Sequence, residues 1–356
     1  MPTSNGSWQR STRSRRQGPD VGNLRAGLIG LGMMGRHHAR VLGSLEGVDL
    51  VAVADAGGDP HHSAGGRPLL SSIEELIAVG LDYCMVAVPT IYHEPVATAL
   101  AQAGVHAMVE KPLAQDTTSA QRLADLFDSK GLIGAVGHIE RYNPALQSAR
   151  SRLESGDLGK VYQVVTRRQG PFPSRIADVG VVKDLATHDI DLTAWVTGQD
   201  YVSVSAQTAI KSGREHEDLV AAIGRLSDGT VTSHLVNWLS PLKERVTIIT
   251  GEKGTFTADT LTADLTFHAN GERTSAWFNL AQFRGVSEGD VIRYAIAKPE
   301  PLRTEGAPFR YGSPVRTHVT RVARQSFGRL AGASIGYGDS VRALASTGCG
   351  STTCTG

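Results

Sequence analysis

Nine residues, Gly27-Leu28-Ile29-Gly30-Leu31-Gly32-Met33-Met34-Gly35, constrain this chain more than any others. They close a short apolar run, Leu24–Ile29, and open a stretch of helical spacing, Arg36–Leu45, so that Gly30, Gly32 and Gly35 form G-x-G-x-x-G between a strand and a helix. Glycine at these places permits a tight turn and close backbone approach. The helix start then offers unpaired N–H groups and a positive dipole end to a pyrophosphate. Asp55 follows Gly35 by 20 residues, at the end of a second apolar run, where a carboxylate accepts hydrogen bonds from ribose hydroxyls. Expected cofactor contacts are therefore Gly30, Gly32, Met33, Met34, Gly35 and Asp55. A carboxylate at position 55 repels a 2′-phosphate and Ala56-Gly57-Gly58 bring no arginine to offset it, which favours NAD over NADP.

The same alternation continues. Leu50–Ala54, Tyr83–Val88, His106–Val109 and Leu132–Val136 have the character of strands, and Ile73–Val79, Glu94–Ala103 and Thr118–Ser129 that of helices. Strands apolar on both sides, separated by helices, predict a parallel sheet covered on both faces. Ala56–Pro68, crowded with glycine and proline, is expected to be a loop or a very short helix. Beyond Tyr142 the pattern changes. Helices over Pro144–Leu153 and Asp184–Val196 are followed by Val202–Ile210, Leu219–Leu226, Val231–Trp238, Arg245–Ile249 and Thr255–Thr257, separated by turn signals such as Ser227-Asp228-Gly229. The fold class is thus an α/β Rossmann domain followed by an α+β domain with a large, mostly antiparallel open sheet. The expected division is a basic tail 1–23, a dinucleotide-binding domain 24–141, a substrate and oligomerisation domain 142–303, and an atypical tail 304–356.

Formal net charge is +1, with the basic excess at the two ends and an acidic body between them. That distribution argues against nucleic-acid or membrane-surface partners. No stretch has the length and apolarity of a membrane span. Cys84, Cys349 and Cys354 cannot form a disulfide framework, so a reducing compartment, the cytoplasm, is expected. The histidine pairs His37-His38 and His61-His62 lack metal-ligand spacing, and no metal is expected.

Pro89-Thr90-Ile91-Tyr92-His93 and Glu110-Lys111-Pro112 fall at strand C-terminal ends, where open α/β sheets bind ligands. Pro89, Thr90, His93, Glu110 and Lys111 join the expected cofactor contacts. Lys111 can place an ammonium beside a reacting oxygen. Asp184, His188 and Asp191, spaced i, i+4 and i+7, share a helix face, and a carboxylate one turn from an imidazole can fix its tautomer and raise its basicity.

The combination of Gly30-x-Gly32-x-x-Gly35, Glu110-Lys111-Pro112, Gly137-His138-Ile139-Glu140-Arg141-Tyr142-Asn143-Pro144 and Asp184-x-x-x-His188 resembles the glucose–fructose oxidoreductase/inositol dehydrogenase/MocA family over about residues 24–303. The resemblance implies NAD(P)-dependent chemistry at a ring carbon of a sugar, sugar nucleotide or inositol, in a homodimer or homotetramer joined through the second sheet. It implies that Lys111 contacts substrate and nicotinamide, that Asp184 binds substrate or orients the histidine, and that His188 is the general acid/base. Arg141 and Asn143 would line the substrate pocket. A dinucleotide- or sugar-sensing protein without catalysis is the rival, and the presence of Lys111, Asp184 and His188 argues against it. After Glu305 the likeness stops: Gly306–Gly356 has six arginines against Asp339 alone, the composition of a shifted reading frame or a divergent tail.

Overall fold

The computed structural model describes residues 23–173, 179–271 and 288–306. The expected tails fall outside them except at Asn23 and residues 304–306.

Six parallel strands form the first sheet: β1 (Leu24–Ile29), β2 (Val48–Ala54), β3 (Leu69–Leu70), β4 (Tyr83–Val86), β5 (His106–Glu110) and β6 (Gly134–Gly137), in the order β3-β2-β1-β4-β5-β6. This is the Rossmann order. Helices α1 (Met33–Leu42), α2 (Ile73–Ala78), α3 (His93–Gln102) and α4 (Thr117–Ser129) cover it. All four residues of β4 are buried because the period of two sends them alternately to two cores. Tyr83 and Met85 pack with Leu28, Leu42 and Val53 on one face; Cys84 and Val86 pack with Leu76, Leu100 and Phe127 on the other. Residues 56–68 contain no helix, and the Asp59 carboxylate organises part of them by accepting from the Ser63 and Ala64 amides at 2.8 and 2.7 Å.

After α5 (Pro144–Glu154) comes the second sheet, with β7 (Val161–Pro171), β8 (Tyr201–Ala209), β9 (Leu219–Leu226), β10 (Val231–Asn237), β11 (Leu239–Gly251), β12 (Gly254–Asp259), β13 (Asp264–Asn270) and β14 (Glu288–Arg293) in the order β14-β13-β12-β11-β7-β10-β9-β8. Every pairing is antiparallel except β7 with β10. Helix α5 and α6 (Thr187–Thr197) cover one face, with Leu146, Leu192 and Trp195 packed on Val164, Ile249 and Phe256. The opposite face carries exposed Ile223, Val231 and Leu235.

The sequence pattern finds β8 to β12 but not the central strand β7, nor β13 and β14 at one edge. Inward positions of β7 are Val164, Thr166, Arg168 and Gly170, so its buried side has no apolar alternation. A short helix α7 (Pro301–Gly306) closes the described chain against α1, with Leu302 buried and Arg303 Nη2 donating to the Ser44 carbonyl at 3.2 Å. Residues 304–306 therefore belong to the packed body rather than to a tail beginning at 304.

Candidate active site

The turn from β1 into α1 holds each glycine for a different reason. Gly30 has φ +93°, a conformation costly for a side chain, and a Cβ there would lie 2.5 Å from the Ala87 carbonyl oxygen. A Cβ on Gly35 would lie 1.8 Å from the Gly30 oxygen, which is how the helix comes so close to the strand. At Gly32 a Cβ would meet nothing within 4 Å. The open space is on the side of the helix start, where Met33 and Met34 supply first-turn amides. Asp55, just past β2, accepts from the Leu31 amide at 2.6 Å and the Gly57 amide at 2.7 Å, placing its carboxylate beside the glycine turn. Arg67 does not fold over Asp55: its Nε donates to the Leu50 carbonyl at 3.0 Å, at the other end of β2. These residues fit a dinucleotide: the glycine turn and the first-turn amides would hold its pyrophosphate, and Asp55 would accept from its ribose.

Pro89 and Thr90 begin the short 3-10 turn after β4. His93 is turned inward, with Nδ1 2.8 Å from the Pro112 carbonyl and Nε2 2.9 Å from the Val88 carbonyl, so it ties two strand-end loops together. Glu110 is likewise buried, its Oε1 2.7 Å from His38 Nε2 on α1. His93 thus fixes Pro112, next to Lys111, and Glu110 Oε2 accepts from the Lys111 amide at 3.2 Å.

Lys111 crosses from the first domain to the second. Its Nζ donates to the Asp184 backbone carbonyl at 2.8 Å and lies 3.6 Å from Asp184 Oδ1. Burial lowers the Lys111 pKa, and the Asp184 and Glu110 carboxylates oppose that shift. A π turn, Val182–Ala186, precedes α6 and changes the angular spacing between Asp184 and His188. The Asp184 carboxylate consequently faces Lys111 instead of pairing with His188, and its Oδ2 is buried without a hydrogen-bond partner. Burial, then the charges of Lys111 and Arg168, hold the His188 imidazole well below its ordinary pKa. A neutral imidazole in that position is a base.

Asp191, on the same helix, takes a different partner. Arg141 grips its carboxylate through two hydrogen bonds, the Nε one at 2.7 Å, and His138 Nδ1 is 3.4 Å away. Asn143 caps α5, accepting from the Ala145 amide at 3.0 Å while donating to the Thr260 carbonyl at 2.9 Å. Arg141 and Asn143 thus support the helices that flank the site. Sequence reasoning missed Arg168, 4% exposed on β7, which donates to Asp189 Oδ2 and to Glu140 Oε1 at 2.8 Å each. Its signal was an arginine at an inward position of a strand whose buried side is not apolar. His138, held by burial down to about 4, lies within the Gly137–Pro144 motif, where its residue type alone assigns it no role.

The glycine turn, the carboxylate beside it and a lysine at the carboxyl edge of the parallel sheet define the class, a Rossmann-type dinucleotide-binding protein with titratable groups at the sheet edge. The family comparisons agree. Residues 24–138 match the family described as "Oxidoreductase family, NAD-binding Rossmann fold", and residues 146–257 match the "GFO/IDH/MocA C-terminal domain", together more than half of the chain. The chain belongs to the GFO/IDH/MocA family, and its first domain is an NAD-binding one. It is 32% identical over 214 residues to the UDP-N-acetylglucosamine 3-dehydrogenase of Acidithiobacillus ferrooxidans, covering 59% of this chain and 66% of that protein. It is 32% identical over 210 residues to the myo-inositol dehydrogenase Hyg17 of Streptomyces leeuwenhoekii, covering 56% and 65%. The solved structure of the A. ferrooxidans enzyme superposes with a TM-score of 0.73 at 26% identity, covering 87% of this chain and 98% of that one. The WlbA dehydrogenase of Bordetella pertussis, solved with NADH and UDP-GlcNAcA, gives 0.67 at 25% identity, covering 87% and 95%.

Proposed function

We propose that this protein is an NAD-dependent dehydrogenase that oxidises, or in reverse forms, a ring carbinol of a sugar, sugar nucleotide or inositol. The observation that carries this reading is the Lys111 bond to the Asp184 carbonyl, which brings an ammonium from the cofactor domain next to the helix that bears His188. Bound NAD supplies the hydride acceptor. His188, kept neutral, takes the hydroxyl proton as the carbinol is oxidised and returns it in the reverse direction. Lys111 donates to the substrate oxygen and stabilises the charge that develops there. Asp184, through its carbonyl and carboxylate, fixes the lysine head. Asp55 disfavours NADP(H), and Arg67, anchored on Leu50, offers no compensating charge. Relatives that act on a nucleotide sugar and on myo-inositol support the substrate class.

The rival sensor reading lacks a use for a neutral, part-buried imidazole that feels the charge of a lysine. NADH formation against a panel of inositols, free sugars and nucleotide sugars separates the two. Turnover of at least one ring carbinol is expected; NAD binding with no turnover across the panel would favour the sensor.

A further inference from the structure

Three cations act on His188 from the protein: Lys111, Arg168 and Arg245. Two of them have fixed partners. Lys111 is held by Asp184, and Arg168 by Asp189 and Glu140. Arg245 stands directly opposite Arg168 across the β11–β7 pairing, so both project from the helix-covered face of the sheet. Yet Arg245 forms no ion pair among the described residues. Its Nη1 donates to the Gln169 and Glu244 carbonyls at 2.9 Å each, while Nε and Nη2 have no hydrogen-bond partner there. The adjacent carboxylate, Glu244, points to the other face and is taken by Arg167 at 2.7 Å and Gln169 at 2.6 Å.

A half-buried guanidinium with one nitrogen fixed on backbone and the remaining edge free is pre-oriented for a planar or tetrahedral oxyanion. Burial and the neighbouring Arg168 lower its pKa, and Asp189, Glu140 and Asp184 act on it from the opposite direction, so its charge is felt within the site. Resting on the dehydrogenase reading above, we propose that Arg245 is a specificity-determining residue that binds an anionic group of the substrate, carboxylate or phosphoryl, close to the carbinol that is oxidised. Neutral inositols and free sugars are then poorer substrates than rings that carry such a group.

The test compares wild type with Arg245→Gln and Arg245→Lys, each folded by circular dichroism. Substrates are glucuronate for a carboxylate, glucose 1-phosphate and UDP-glucose for a phosphoryl group, and myo-inositol and glucose as neutral rings. Both kcat/KM with NAD and calorimetric Kd in NAD-loaded protein are read. Wild type should favour one anionic arm, and which arm responds identifies the group. In Arg245→Gln the ratio of anionic to neutral kcat/KM should fall about 10- to 100-fold, mostly in KM, with partial recovery in Arg245→Lys. A structural role alone would lower both substrate classes together and leave the ratio unmoved, which would overturn the proposal, as would equal use of neutral and anionic rings by wild type. Binding of an anionic ring that depends on Arg245 but gives no NADH would uphold the proposal and remove the dehydrogenase reading. Neither binding nor turnover of any anionic ring would overturn it.

Discussion

Asp55 shows how one side chain serves structure and selection together. Both carboxylate oxygens already accept backbone amides, from Leu31 and Gly57, so the group is held rigidly next to the glycine turn. A rigid carboxylate cannot swing away from a 2′-phosphate, and like charges brought together in this way cost several-fold to many-fold in affinity. Asp55→Ala should therefore narrow the NADH over NADPH preference at least about 10-fold, measured by fluorescence titration of both cofactors. An unchanged ratio would remove Asp55 from cofactor choice. At this scale Gly30, Gly32, Gly35, Asp55, Lys111 and His188 stand out in the sequence as candidates because their residue types carry chemistry at fixed spacing. The partners do not. Asp184 to His188 is i, i+4 in sequence, but a π turn redirects the carboxylate to Lys111, and nothing in the amino-acid order announces that turn. Arg168 escaped for a related reason: its buried ion pairs join β7 to residues 140 and 189, distant in sequence.

Among the elements, the β1–α1 turn makes the sharpest prediction, because its glycines fail differently. Gly35→Ala forces a Cβ onto the Gly30 carbonyl, so the turn must open; overpacking of this kind costs about 1–3 kcal/mol and should lower the melting temperature even without ligand. Gly32 has φ −60° and open space around it. Gly32→Ala should leave the unfolding free energy of the free protein within about 0.5 kcal/mol of wild type while weakening NADH binding about 10-fold or more. Equal NADH affinity in Gly32→Ala would mean that the pyrophosphate does not pass over this residue. The first domain was read nearly element for element, since two-sided apolar strands and helical spacing alternate cleanly there. In the second, Leu219–Leu226 matched its expected bounds, whereas β7 was missed because Thr166, Arg168 and Gly170 occupy inward positions that periodicity expects to be apolar.

For the whole molecule, three imidazoles among the described residues are held in the neutral form, His234 buried and His138 and His188 part-buried. Burial holds His138 and His234 down to about 4, and His188 well below its ordinary value. In the unfolded chain each returns to about 6.5, so as pH falls from 6.5 toward 4 the unfolded state binds protons that the folded state refuses, and stability is lost across that window. Glu305 and Asp189, raised by burial, work in the opposite direction by releasing protons on unfolding. Three groups against two leaves net proton uptake on unfolding near pH 5.5, measurable by calorimetry in buffers of different ionisation enthalpy. Net release would contradict the assignment of these histidines as neutral. The open face of the second sheet sets the other expectation at this scale. Ile223, Val231 and Leu235 lie on it exposed, and the homodimer or homotetramer expected from the sequence would use this face. Leu235→Glu with Ile223→Glu should shift light-scattering mass toward the monomer; an unchanged mass would place the interface elsewhere.

As proposed above, His188 moves the proton and does not hold the cofactor. Single-turnover hydride transfer, followed as NADH appears from the best substrate across pH, tests this when paired with NADH titration of His188→Ala. His188→Ala should keep NADH affinity within a few-fold of wild type, slow hydride transfer about 10²- to 10⁴-fold, and lose the acidic limb that wild type shows well below pH 6.5. Hydride transfer at the wild-type rate with the acidic limb intact would contradict it.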